Sequence, residues 1–162
     1  MGGVNGAEAL KALYALQEKD LEIDRLRAEA ESLPEELVAL QGQVETLEER
    51  LTNLLERRAE LEREYNRHSL DIEDLSAKEK QAEEEQKRAQ SAREQTQYEN
   101  RIQQIKDRIR ELLELSTPIM EAMENLEAEI AQVEEELAAL RPRLQELLEA
   151  NRARVAELEA AI

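Results

Sequence analysis

"QSAREQTQYENRIQQI", Gln90 to Ile105, interrupts a chain that otherwise places Leu, Ile or Val on almost every helical turn. Its first dozen residues hold no large aliphatic side chain, and Tyr98 is its only aromatic. The flanks show what the gap separates. Before it, Ile23, Leu37, Val44, Leu51 and Ile72 fall at heptad position a, with Leu26, Leu33, Leu40, Leu47, Leu54, Leu61 and Leu75 at d. After it, Ile102, Ile109, Met123, Ile130, Leu137, Leu144 and Leu158 take a, while Ile105, Leu112, Ile119, Leu126, Val133, Leu140 and Leu147 take d. Apolar residues at a and d line one stripe of a helix, and a stripe sustained this long is a coiled-coil seam.

The two registers disagree. Counting in sevens from Ile23 reaches Gln86, Arg93 and Asn100, so the second a series, starting at Ile102, lies two residues out of phase. A single insertion of three or four residues in a continuous coil does not produce that offset. A chain reversal does, because each arm then keeps its own register. Between the seams the core positions are Glu79, Gln86, Ser91 and Gln95, and only Ala82, Ala89 and Tyr98 have side chains that pack. The expected fold is therefore all-α: a long antiparallel coiled-coil helical hairpin with its tip in the quoted stretch. Its expected parts are a flexible N-terminus over 1–6, a first arm over 7–90, a turn over 91–96 and a returning arm over 97–162, together one coiled-coil domain. The alternative is a continuous helix in a parallel dimer, a reading favoured by the absence of Gly and Pro from 76 to 110.

Capping chemistry replaces the missing turn residues. Ser91 with Glu94, and Thr96 with Glu99, each fit the S/T-x-x-E box that opens a helix, although the same box recurs at Ser32/Glu35, Thr46/Glu49 and Ser76/Glu79. An antiparallel seam pairs a with d. Setting Leu33 opposite Asn151, Leu61 opposite Met123 and His68 opposite Ser116 satisfies this throughout and puts the reversal near Ala92. The hairpin is expected to be kinked or segmented near Pro34, Pro118 and Pro142, all off the seam, because each proline removes a helical hydrogen bond. In this alignment Pro118, with Thr117 as N-cap, faces Tyr65 and His68; Pro142 lies across from Gly42, and Pro34 from Asn151 and Arg154. Packing should soften opposite each proline.

Composition agrees with the pattern. Of 162 residues 38% are charged and 2% aromatic, Phe, Trp and Cys are absent, and the formal net charge is −17. That is the make-up of long helices and coiled coils rather than of a compact domain, and regular aliphatic spacing from Leu10 to Ile162 argues against disorder. No apolar run approaches the roughly 18 residues that span a bilayer. The opening "MGGVNG" has neither the basic and apolar blocks of a signal peptide nor the sixth-position Ser/Thr of a myristoylation signal, so the expected location is cytoplasmic, without membrane association.

No residue set points to catalysis. His68 is the only histidine; Glu64 shares its helix face, but a carboxylate-bridged metal site in a bundle needs Glu-x-x-His pairs from facing helices. The acidic runs at Glu83–Glu85 and Glu134–Glu136 splay around their helices as solvated faces. With no Gly-rich phosphate loop and no nucleophile elbow, the chain is read as a non-enzyme with no cofactor of its own. Charge distribution is more telling. From Ser76 to Arg110 nine Lys/Arg face seven Asp/Glu, leaving this region at +2 and the remainder at −19. The acidic body repels nucleic acid and anionic lipid, whereas the tip residues Lys87, Arg88, Arg93, Tyr98 and Arg101 form the candidate partner-binding site.

The opening helix reads "ALYALQEKDLEIDRLRAEAESLPEELVALQ", with Leu13, Leu16, Gln17, Asp20, Ile23, Asp24 and Leu26 followed by Leu33-Pro34 and Leu37. This order resembles the start of the bacterial zinc-ribbon proteins with an N-terminal coiled-coil hairpin, the family that includes the chlamydial type III secretion accessory protein and a Helicobacter flagellar regulator. Their mid-chain block, close to t-x-x-E-Y-x-x-L-x-x-E-I, is similar to the run from Gln97-Tyr98 to Ile105, with Gln97 and Gln104 standing where the family has Glu. The resemblance covers the hairpin alone, because the four-cysteine ribbon is absent and the sequence stops at "AELEAAI". It implies a fragment whose ribbon was left out, or a protein that lost it; zinc is expected only in that missing ribbon. It also implies a non-enzymatic adaptor or scaffold for protein partners. The alternative is an RNA- or RNA-polymerase-directed arm, in which the four tip cations touch phosphate and Tyr98 stacks on a base. A homo-oligomer is compatible with either.

Overall fold

A computed structural model describes the backbone of residues 2–162 and the side chains from Gly6 onward. It is all-α, with helices α1 (Gly2–Glu31), α2 (Glu35–Lys87) and α3 (Ala92–Ala161) and no strand among the described residues. The chain forms an antiparallel helical hairpin and divides into two compact units, Glu49–Glu135 and the residues up to Glu48 together with Glu136–Ile162.

In the unit Glu49–Glu135, α2 and α3 run antiparallel through a turn at 88–91. Its core is Leu61, Ala82, Ile102, Ile105, Leu112, Ile119, Ile130 and Val133, and each stands at an a or d position of the seams. Burying a Leu or Ile side chain is worth about 1.5–3 kcal/mol, so the stripe is the main source of cohesion. Ion pairs show which register is adopted. Arg58 Nη2 lies 2.8 Å from Glu127 Oε1, and Lys106 Nζ lies 3.8 Å from Glu79 Oε1. Both pairs sit within one residue of the alignment that sets Leu61 against Met123, where a heptad slip would displace them by seven. The hydrogen bond and charge of Glu127 hold the Arg58 guanidinium above its usual pKa. The middle of this seam is less well filled: Arg58 and Tyr65 occupy a positions and His68 a d position, all half-buried, while Ser116 on α3 is buried. A shallow surface hollow of about 260 Å³ is lined by Tyr65, Met120, Met123, Glu124 and Glu127.

In the other unit, the start of α2 packs against the end of α3 around Leu37, Leu40, Val44 and Leu137, and α1 contributes the half-buried Ile23, Leu26 and Ala30. Arg143 Nη2 meets Glu36 Oε1 at 2.9 Å and Arg141 Nη2 meets Glu48 Oε1 at 3.6 Å. The Glu36 carboxylate holds the Arg143 guanidinium above its usual pKa by hydrogen bond and charge. The helix break expected at Pro34 is present, spanning Ser32–Pro34. Ser32 does not cap α2, because its Oγ donates back to the Glu29 carbonyl at 2.9 Å. The Pro34 carbonyl accepts the first bond of α2 from Val38 N–H at 3.1 Å, and Glu35 and Glu36 supply the negative charge that favours a helix start. The segment 2–6, within the 1–6 expected to be flexible, has helical backbone.

Pro118 and Pro142 behave differently from Pro34. Helix α3 continues from Ala92 to Ala161 without a break at either proline, so segmentation is confined to Pro34 and the turn. Thr117 is accordingly no N-cap; its Oγ1 donates to the Leu113 carbonyl at 3.1 Å, and Ser116 Oγ donates to the Leu112 carbonyl at 2.7 Å. Pro118 deprives the Glu114 carbonyl of its partner and Pro142 that of Ala138, and all four residues are exposed, which gives solvent access there.

Candidate functional site

The turn is built without glycine. At the end of α2 the chain tightens, with Arg88 N–H bonded to the Glu85 carbonyl at 3.0 Å and Ala89 N–H to the Gln86 carbonyl at 3.1 Å, each a three-residue step. Helix α3 then opens on Ser91, whose Oγ accepts from Glu94 N–H at 3.1 Å while its carbonyl accepts from Gln95 N–H at 3.1 Å. Glu94 Oε2 reaches back and accepts from Gln90 N–H at 3.1 Å. This is the reciprocal capping box of the sequence, with the returning carboxylate taking the amide one residue before the cap. No residue among those described has positive φ, so no position in the turn calls for glycine. Thr96, the second candidate cap, lies inside α3 and donates to the Ala92 carbonyl at 2.9 Å. The turn thus occupies 88–91 and the returning helix starts at Ala92, five residues before the expected 97.

The candidate site residues surround this turn. Lys87 ends α2, Arg88 lies in the turn, Arg93 in the first turn of α3, and Arg101 two helical turns further along. All four are exposed, and none of their side chains makes an ion pair or hydrogen bond among the described residues. Of the other cations from Ser76 to Arg110, Lys80 is also unpaired, while Lys78 pairs with Asp74 at 3.2 Å, Lys106 with Glu79 at 3.8 Å, Arg108 with Glu111 at 2.8 Å and Arg110 with Asp107 at 3.7 Å. Lys87, Arg88 and Arg93 are therefore brought together as free charges, and Glu94, the acid nearest to them on α3, is occupied by the cap. Tyr98 does not join them. It stands at a d position and is half-buried along the seam, which leaves only part of its ring for stacking.

A second polar cluster lies at the Pro34 break. Arg154 Nη1 donates to the Glu29 carbonyl at 3.0 Å, and its Nη2 donates to the Ser32 carbonyl at 2.7 Å and to Asn151 Oδ1 at 2.9 Å. The α-helix has carbonyls without partners at its C-terminus, and a guanidinium from the facing helix is a fitting cap because it offers several donors in a fixed plane. The alignment placed Arg154 across from Pro34; the double carbonyl bridge has no signal in the sequence. Arg58, at an a position, is likewise unmarked by the apolar pattern.

His68 lies four residues from Glu64, with Nε2 4.0 Å from Glu64 Oε1 and Nδ1 buried without a partner. Among the described residues no group of three or more His, Cys, Asp or Glu is placed to hold a metal ion, and no helix is long and apolar enough to cross a membrane. No protein-family model, curated protein or solved structure matches the chain.

Proposed function

We propose that the chain is a non-enzymatic coiled-coil adaptor that holds partner proteins, and that it is the hairpin of a bacterial, cytoplasmic zinc-ribbon protein of the kind its opening helix resembles. The reading is supported above all by the turn itself, which a local capping box closes beside the exposed side chains of Lys87, Arg88 and Arg93. A locally capped turn presents Lys87, Arg88 and Arg93 with little backbone freedom to lose on binding, which favours recognition of an acidic protein surface. The test is photocrosslinking in cells from position 88 and, for comparison, from exposed position 56. One protein captured at 88, absent at 56, and lost when Lys87, Arg88, Arg93 and Arg101 are changed to Glu supports the reading. Equal capture at both positions, or none, overturns it. For the ribbon, paired C-x-x-C motifs in the natural gene beyond the codon for Ile162 are the expected finding.

The same free cations favour a second reading, an arm directed at RNA or RNA polymerase. It requires steeply salt-dependent RNA binding that the four Glu substitutions abolish. No RNA binding at low salt removes it.

A further inference from the structure

Helix α1 carries two apolar stripes. One continues the hairpin seam through Leu16, Ile23 and Leu26; the other runs through Ala7, Leu10, Tyr14, Gln17, Leu21 and Asp24, a spacing of three and four residues repeated. At 3.6 residues per turn the second stripe lies roughly 150° round the helix from the first. Every residue of α1 from Gly6 to Glu22 is exposed, and so is the whole of this stripe. Leu10 is 71% exposed, Tyr14 64% and Leu21 65%; Leu13 and Leu16 of the same helix are exposed as well, at 62% and 59%. Ala7, Leu10, Lys11 and Tyr14, at i, i+3, i+4 and i+7, border a surface hollow that continues to Ala15 and Glu18. Four residues at that spacing form the hole that receives a knob in a coiled coil.

We infer that this face is a self-association surface and that its occupant is α1 of a second copy of the chain, packed antiparallel. The stripe is complementary to itself in that sense. With a facing d, Leu10 meets the partner's Leu21, Tyr14 meets the partner's Gln17, and the two-fold repeats both layers. Leu21 is then the knob for the hole at Ala7, Leu10, Lys11 and Tyr14. The flanking charges agree: in this register Lys11 stands beside the partner's Glu18, and Glu18 beside the partner's Lys11, each at the position that pairs with its own kind across an antiparallel seam. A parallel pairing makes neither contact. It would also set two chains of net charge −17 side by side, whereas antiparallel helices carry them away in opposite directions. The Tyr14–Gln17 layer is a polar interruption of the kind that fixes register. The contact spans four helical turns and gives a weak, concentration-dependent dimer. This inference does not depend on the adaptor reading, which concerns the turn.

Sedimentation of the whole chain tests it. The weight-average mass should climb from 18.6 kDa toward twice that value as concentration rises. Leu21→Asp should weaken the dimer more than tenfold, and Leu70→Asp, at an equally exposed but isolated position, should leave it unchanged. Because Leu21→Asp also disturbs α1 itself, a charge exchange gives a second measurement: Lys11→Glu and Glu18→Lys each weaken association several-fold, and the double variant restores it. The chain has no cysteine, so Leu10→Cys mixed with Leu21→Cys should give an oxidised heterodimer while each alone stays uncrosslinked. A mass that stays at the monomer value, dimerisation indifferent to Leu21→Asp, no rescue by the double exchange, or Leu10→Cys crosslinking to itself would each overturn the proposal.

Discussion

The chain stops being helical in two places between Glu31 and Ala92, and they are held in opposite ways. The turn at 88–91 is closed by its own neighbours, with Ser91, Glu94 and Gln90 exchanging bonds within five residues of sequence. The break at Ser32–Pro34 has no local cap for α1 beyond the Ser32 hydroxyl, and its carbonyls are taken by Arg154, 125 and 122 residues away. A reversal that carries its own capping survives changes elsewhere in the hairpin. A break whose partner lies on another helix is only as stable as the packing that brings that helix there.

The largest effect should come from Arg154→Ala. Its three hydrogen bonds, to groups that stay near water, are worth about 2–3 kcal/mol together, read as a lower denaturation midpoint and faster amide exchange over 30–33 and 154. Arg154→Lys should recover less than half, since an ammonium does not bridge two carbonyls in one plane. Pro142→Ala separates a break that needs support from a proline the helix merely absorbs. It restores a bond to the Ala138 carbonyl inside continuous helix and should stabilise by about 2 kcal/mol. Ser91→Ala should cost about 1 kcal/mol and Thr96→Ala nearly nothing, although both sequences fit the same box; equal costs would mean the cap is misassigned. The smallest effect is Gly42→Ala, a gain of about 0.5–1 kcal/mol, because a Cβ there meets no atom within 4 Å.

The seams were legible because burial repeats with the helix. Every buried apolar residue among those described, from Leu37 to Leu137, lies on the a and d positions read from spacing, and Ser116 lies on the same stripe. The reversal was legible from phase. The box at Thr96 could not be told from that at Ser91, because the motif records only that a hydroxyl and a carboxylate are three residues apart. Whether the hydroxyl bonds forward to an amide or back to a carbonyl depends on where the chain leaves the helix, and four such boxes besides Ser91 lie elsewhere. Continuity through Pro118 and Pro142 depends on exposure, since water takes the freed carbonyl only where it has access. At the candidate site the charges were legible and their freedom was not. That Lys106 is paired while Arg93 is free follows from the position of Glu79 across the hairpin. Tyr98 was read both as one of the few packing side chains between the seams and as a stacking residue at the tip, and its half-buried place on the seam agrees with the first.

The locally capped turn has a kinetic consequence. Contacts near it join residues close in sequence, such as Glu79 and Lys106, whereas those at the Pro34 break join residues more than a hundred apart. Loop-closure entropy rises with that separation, so pairing that starts at the turn and advances one layer at a time never closes a long loop in a single step. On this route the arms zip, and the clasp of Arg154 on Glu29 and Ser32 is among the last contacts made and the first to open.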